Sequence, residues 1–164
     1  MNKVFSSFFL VLIFLAGKTD KIVSQVAHAP SYISSFHAGV RHKLNGEINQ
    51  AISKFTACLN EDQNDDAVHY ALSQIYLTKN ELQLALIHIK WALKIDPSNK
   101  HYKLELVNIY SATGGHKKAA LLLEELIKND LQNSELYQQA ADNWVKANKI
   151  KKAIVVLNKL EYNI

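Results

Sequence analysis

Apolar residues recur at helical spacing in two neighbouring stretches between Asp66 and Asn99. The first stripe holds Ala71, Leu72, Ile75 and Tyr76, and after a polar break at residues 78–81 the second stripe holds Leu82, Ala85, Leu86, Ile89, Ala92 and Leu93. Spacing of this kind predicts amphipathic helices. Pro97 cannot continue the second helix, so residues 66–99 are predicted to form one helix–turn–helix unit.

The unit recurs along the chain with a period of 34 residues. Three apolar columns keep this period, namely Ala51, Ala85, Ala119 and Ala153, then Phe55, Ile89, Leu123 and Leu157, then Cys58, Ala92, Leu126 and Leu160. Gly and Asn, which most easily adopt the left-handed conformation at a helix end, alternate in the turn column Gly46, Asn80, Gly114 and Asn148. Several columns with one period predict four consecutive repeats.

The predicted helices span residues 32–44 and 47–60, 66–78 and 81–94, 99–112 and 116–129, and 134–147 and 150–161, with Ser31, Ser98 and Ser134 as helix starts. No alternating strand pattern is present. Because each pair has apolar residues on more than one side, neighbouring pairs must stack. The predicted fold class is all-α, an α-α superhelix (solenoid) of four helix–turn–helix repeats at about 32–65, 66–99, 100–133 and 134–164.

Residues 32–164 resemble the tetratricopeptide repeat (TPR) family. The matching small residues are Gly39, Ser73 and Ala141 in the first helices and the alanine column in the second, the aromatic column holds Tyr76, Tyr110 and Trp144, and Pro97 closes a unit. The chain departs from the pattern at Gln63, Leu131, Val107 and His42. The resemblance implies a right-handed tetratricopeptide-like solenoid that acts as a non-enzymatic scaffold for protein–protein interaction.

The resemblance also implies a concave groove lined by one face of each first helix. The candidate partner-binding residues there are Phe36, Tyr70, Gln74, His101, Glu105, Asn108, Gln138 and Asp142. Tyr70 and Glu105 are expected to point at solvent or ligand. The groove is apolar toward the first repeat and amide-rich and mildly acidic toward the fourth, which suits an extended or helical protein segment with an apolar patch and basic or amide groups. A groove that is merely solvated, or filled by another part of an assembly, is the alternative.

A carboxylate clamp, which some proteins of this kind use for a peptide terminus, is not predicted. It requires Lys, Arg and Asn, and Phe36, Val40, Ala71 and Glu105 stand at the matching places.

Residues 1–29 differ in kind from the repeats. Lys3 precedes an apolar run from Val4 to Gly17, which is shorter than the roughly 20 residues of a membrane span and typical of a signal peptide. Residues 27–29 form an Ala-His-Ala cleavage pattern and residues 15–17 a poorer one; the alternative to a cleaved leader is an uncleaved membrane anchor. The sequence therefore predicts export to the periplasm or cell envelope of a bacterium.

Composition and motifs give no sign of nucleic-acid binding, catalysis, a cofactor or a metal. The net charge is +4, half of it in the leader, and the remaining lysines form no basic stripe. The histidines are scattered and no catalytic or phosphate-binding motif occurs. The single cysteine, Cys58, is interpreted as a core residue, with a reactive thiol as the alternative.

The last predicted helix is as apolar as an internal one. Ile154, Val155, Val156 and Leu157 align with residues 120–123, which lie on a helix that has a successor, and Glu161 adds one polar position. The sequence predicts an exposed apolar strip there, covered by a homodimer partner, another protein or further repeats. The predicted function is a protein-binding scaffold; the alternative is the extracytoplasmic sensory or docking portion of a longer receptor or regulator.

Overall fold

The structure, a computed structural model, describes the backbone of residues 29–163 and the side chains of residues 29–162. Eight α-helices follow one another: α1 (Pro30–Leu44), α2 (Ile48–Glu61), α3 (Asp66–Thr78), α4 (Leu82–Ile95), α5 (Lys100–Ala112), α6 (His116–Asn129), α7 (Ser134–Lys146) and α8 (Ile150–Asn163). The predicted helices are confirmed to within two residues at each end, and residues 29–163 contain no strand. The predicted signal peptide lies outside the described residues.

The turn within each pair has the backbone conformation that its Gly or Asn column predicts. Gly46 and Gly114 have φ of 75° and 74°, and Asn80 and Asn148 have φ of 60° and 57°. The next amide donates back to a carbonyl near the end of the first helix, for example Glu81 N to Tyr76 O at 2.8 Å. This bond pattern ends a helix and reverses the chain, so each pair forms a tight antiparallel hairpin.

Two of the predicted serine starts, Ser31 and Ser98, are wrong, whereas Ser134 does begin its helix. Asn99 caps α5 by accepting from the backbone amides of its first turn, whereas Ser98 donates to the Asp96 carboxylate at 2.7 Å. Ser31 lies inside α1, which begins at Pro30. Ser134 is the first residue of α7, after Asn133 at the cap position. At α5, the side-chain oxygen of Asn99, one residue after Ser98, takes the capping position.

Small residues allow the two helices of a pair to cross closely. Gly39 faces the ring of Phe55, and a Cβ at Gly39 would lie 2.8 Å from that ring. In the next pair, the Ser73 hydroxyl donates to the Ala85 carbonyl at 3.1 Å. Ala51, Ala85 and Ala119 are fully buried, and Ala153 almost so. The predicted alanine column is therefore the packing contact of each hairpin.

Successive hairpins stack through both helices. Besides the contacts between consecutive helices, α3 touches α5 directly, and the Tyr102 hydroxyl of α5 donates to Asp66 of α3 at 2.9 Å. The first helices of the pairs, α1, α3, α5 and α7, are called the inner helices below. Because they approach one another, they line the concave side of the superhelix. Among residues 29–163, no helix is long and apolar enough to cross a membrane.

Candidate partner-binding groove

Polar side chains from three inner helices meet on the concave side. Lys43 of α1 donates to the Gln74 side-chain oxygen of α3 at 2.5 Å. On α5, the Asn108 side chain hydrogen-bonds to the Glu105 carboxylate. Burial lowers the pKa of Lys43, and the nearby charge of Glu105 opposes that shift. Lys43, Gln74, Glu105 and Asn108 are called the inner polar cluster below.

Glu105 is buried, contrary to the expectation that it points at solvent. Its side chain is 7% exposed, and burial raises the pKa of its carboxyl group, opposed by Asn108 and Lys43. Its charge also contributes to the raised pKa of Tyr70, after burial. Glu105 is therefore a covered residue of the groove, close enough to Lys43 and Tyr70 for its charge to act on both.

Tyr70, Gln74 and Phe36 are half-buried and contribute to packing as well as to the groove. The Tyr70 ring lies 4.9 Å from the Tyr102 ring. Phe36 stacks on Tyr32 at 6.4 Å and meets Phe55 edge-on at 5.9 Å. Substitution of these aromatic residues will therefore affect stability as well as any binding.

The remaining candidates are exposed: His101, Asn108, Gln138 and Asp142. Of these, Asn108 belongs to the inner polar cluster. Among the described side chains, no hydrogen bond or ring contact joins His101, Gln138 or Asp142 to that cluster. The structure thus gathers Tyr70, Gln74, Glu105 and Asn108 into one place and leaves the other polar candidates on open surface.

Lys43 was not predicted from the sequence. A lysine in the last turn of a helix ordinarily interacts with the helix dipole and faces solvent. Here it is half-buried and reaches Gln74. Its position in the repeat is taken by Leu77, Ser111 and Val145 in the following units, so the one charged residue in that column was the available signal.

An apolar depression lies at the first-repeat end of the molecule. It has a volume of about 380 Å³ and is lined by Phe36, His37, Val40, Arg41, Leu44 and Asn45. Leu44 is 81% exposed. The apolar character predicted for this end of the groove is thus present, and the sequence analysis missed Leu44 as its most exposed member.

A second apolar surface runs along α4 on the convex side. Its members are Leu84, Ile87, Trp91 and Ile95, all exposed, and they are called the convex stripe. The Lys94 ammonium lies 4.3 Å from the centre of the Trp91 ring. The spacing of these residues, offset from the buried stripe of the same helix, is the signal that could have identified the surface from sequence.

The last helix exposes part of the strip that its sequence predicts, because Val156 is buried whereas Ile154, Val155 and Leu157 are exposed. Ile150, Ile154 and Leu157 are exposed and lie on one face of α8; they are called the C-terminal strip. One repeat earlier, Ala120 and Leu123 occupy the positions of Ile154 and Leu157 and are fully buried in the cluster that includes α7 residues. A helix packed on α8 as α7 packs on α6 would cover the strip.

The Cys58 side chain lies in the hydrophobic core. The residue is fully buried, its thiol lies 3.8 Å from the Tyr32 carbonyl oxygen, and burial, with nearby acidic residues, raises its pKa to about 11. Because the thiolate is the reactive form, this placement favours the core interpretation over a reactive thiol.

Two of the scattered histidines meet between α3 and α4, where His69 and His88 are in contact. Within residues 29–162, no three metal-binding side chains come together.

Solved structures with the same arrangement of helical hairpins identify the fold. A crystal structure of MamA protein superposes with a TM-score of 0.72 at 18% identity, over 80% of this chain and 72% of that one. A thermophilic TPR protein from Thermus thermophilus gives 0.59 at 18% identity, over 79% of this chain and 72% of that one. The chain has a tetratricopeptide-like fold.

A further similar structure is a tetratricopeptide repeat protein from Parabacteroides merdae, with a TM-score of 0.62 at 15% identity over 80% of this chain and 52% of that one. No protein-family model and no curated protein matches the sequence. The predicted all-α superhelix is confirmed, and at these identities the likeness concerns the fold.

Proposed function

We propose that this protein is a non-enzymatic scaffold that binds a segment of a protein partner in its concave groove. The observation that supports this is the inner polar cluster, in which α1, α3 and α5 each contribute side chains to one concave surface. Tetratricopeptide-like solenoids present such concave surfaces for binding, and no cofactor is required for this role.

The chemistry of the groove suggests which segment it accepts. The depression beside Phe36, Val40 and Leu44 offers apolar surface, and the inner polar cluster offers hydrogen-bonding groups along the neighbouring helices. An extended or helical segment with an apolar residue and a polar residue several positions away would contact both. The exposed candidates His101, Gln138 and Asp142 extend this surface toward the fourth repeat.

Affinity capture from bacterial envelope extracts tests the site. The double variant Leu44→Ser with Asn108→Ala changes two exposed groove positions, so the fold should be retained. We expect at least tenfold less captured partner, with the melting temperature preserved. The matched control is Leu121→Ser, an exposed leucine on the convex side. Undiminished capture by the groove variant would contradict the proposal, and loss of capture by Trp91→Ser would move the site to the convex stripe.

The proposed location is the periplasm or cell envelope, supported by Lys3 and the apolar run from Val4 to Gly17. Contact with the membrane would then be limited to an unprocessed leader. Cell fractionation with N-terminal sequencing of the mature protein decides this. Recovery of an intact chain beginning at Met1 in the cytoplasm would contradict export.

The C-terminal strip supports an additional contact, in which a second copy of the chain or further repeats cover α8. A longer chain would favour the alternative function, an extracytoplasmic sensory or docking portion of a receptor or regulator. A hydrophobic span encoded after residue 164 would support that alternative, and a stop codon directly after Ile164 would exclude it.

A further inference from the structure

The inner polar cluster contains one unsatisfied hydrogen-bond acceptor. Among the described side chains, Glu105 Oε1 is the buried nitrogen or oxygen atom that has no hydrogen-bond partner. Buried polar atoms without a partner are rare in native proteins, and a buried carboxylate oxygen is especially costly to leave unpaired. A donor supplied by a bound partner would remove this cost once the side chains that cover Glu105 move aside.

The groups around Glu105 indicate the charge of that donor. Lys43 lies close enough to Glu105 to interact with its charge, yet its ammonium is bonded to Gln74 instead. The two charges already offset each other, and a second cation would be repelled by Lys43 in a partly desolvated site. A neutral N–H donor completes the bonding of Glu105 without adding charge.

The same groups also offer donors to the ligand. Gln74 uses its side-chain oxygen to accept from Lys43, which leaves its amide nitrogen as a donor, and the Lys43 ammonium has further N–H groups. A carboxamide has an N–H and a C=O group side by side and can match one acceptor and one donor at once. The exposed Asn108 side chain, which bonds the Glu105 carboxylate, is the group whose rotation would admit it.

We propose that Glu105 determines the specificity of the groove, with its Oε1 accepting an N–H from an Asn or Gln side chain of the partner segment. The carboxamide oxygen of that side chain then accepts from Gln74 or Lys43. This inference rests on the proposed function, because it assigns a ligand group to the same concave groove.

The test uses an array of random 12-residue peptides, acetylated and amidated at their ends, probed with the labelled full-length mature protein. Glu105→Gln keeps an acceptor oxygen and removes the charge. Glu105→Met removes the acceptor at similar volume. Glu125→Met is the matched control, because Glu125 is exposed and pairs with Lys103 away from the inner polar cluster. Melting temperatures establish that every variant is folded.

We expect wild type to select peptides with Asn or Gln at one position. Glu105→Gln and Glu125→Met should keep that preference, and Glu105→Met should bind the selected peptides at least tenfold more weakly. An unchanged preference in Glu105→Met would overturn this inference alone. If wild type instead selected peptides with Lys or Arg, and this preference disappeared in Glu105→Gln, the inference would also be overturned, because that result indicates a cation site. If wild type bound no peptide above background, the proposed function would fail together with the inference.

Discussion

The Nδ1 atoms of His69 and His88 lie 2.9 Å apart, which joins α3 to α4 by a hydrogen bond between two imidazoles. His69 Nε2 lies 3.1 Å from the Gln63 carbonyl oxygen, so we assign the Nε2–H to His69 and the bridging Nδ1–H to His88. His69 also stacks on Trp91, and His88 on Tyr76. The rings therefore connect the core of the second hairpin to the convex stripe.

Because of the pair formed by His69 and His88, we expect acid to destabilise the protein. Burial, followed by the neighbouring His69, lowers the pKa of His88 to about 4, whereas an unfolded chain has a histidine pKa of about 6.5. The unfolded state therefore binds the proton first. The stability that the folded protein gains from a neutral His88 is complete above pH 6.5 and is lost as the pH falls from 6.5 toward 4. With allowance for partial exposure, we expect a loss of about 1–2 kcal/mol in the free energy of unfolding.

Urea unfolding at several pH values measures this loss. His88→Gln should flatten the dependence between pH 6.5 and 4, and the exposed His37→Gln should leave it as in wild type. A slope that is identical in all three proteins would show that His88 does not cause it.

Gly39→Ala tests the crossing of α1 and α2. The added Cβ would lie 2.8 Å from the ring of Phe55, which is fully buried. We expect the variant to be about 1–3 kcal/mol less stable, as for other overpacked cores. In a Phe55→Leu background the same change should cost much less, as a double-mutant cycle in urea would show. Equal costs in both backgrounds would rule out this contact as the cause.

Ala85→Arg tests the repeat register. Ala85 is fully buried and its carbonyl accepts from Ser73, so a charged side chain there has no room and no partner. We expect a loss of more than about 4 kcal/mol, and thus an unfolded chain. The exposed Gln83→Arg is the control. A thermal melt of Ala85→Arg within about 1 °C of wild type would mean that the register is wrong.

The C-terminal strip predicts self-association of the mature chain. Ile154 is 52% exposed, and covering the strip would remove apolar surface from water. Light scattering should show a dimer for wild type and a monomer for Ile154→Lys with Leu157→Lys. Val155→Lys, on the convex side of the same helix, should remain dimeric. A wild type that is strictly monomeric and does not aggregate at high concentration, from a gene that stops after Ile164, would mean that Glu161 and the short tail cap the array adequately.

The backbone conformation of the hairpin turns could be predicted because it depends on the local sequence. The turn column Gly46, Asn80, Gly114 and Asn148 anticipates four positive φ angles, since few other residues adopt them. The helix starts were less predictable, because Ser98 and Asn99 are both good caps and only the course of the chain decides between them.

The inner polar cluster could not be predicted, because it depends on how the hairpins stack. Lys43 and Gln74 are 31 residues apart, and whether their side chains meet is set by the small rotation between one repeat and the next. The sequence marks Gln74 and Glu105 as groove residues but does not reveal that Glu105 is covered. The histidine pair, in contrast, had a signal, since His69 and His88 lie 11 residues before and 8 residues after the turn at Asn80, on the two helices of one hairpin.

Site-specific photo-cross-linking tests the central claim, that the concave groove is the partner-binding surface. A photo-reactive residue is placed separately at Leu44 and Asn108 in the groove, at Trp91 on the convex stripe, and at Leu121 as an exposed convex control. With the captured envelope partner, we predict cross-links from Leu44 and Asn108 and none from Trp91 or Leu121. Cross-links from Trp91 alone, with both groove positions silent, would contradict the claim.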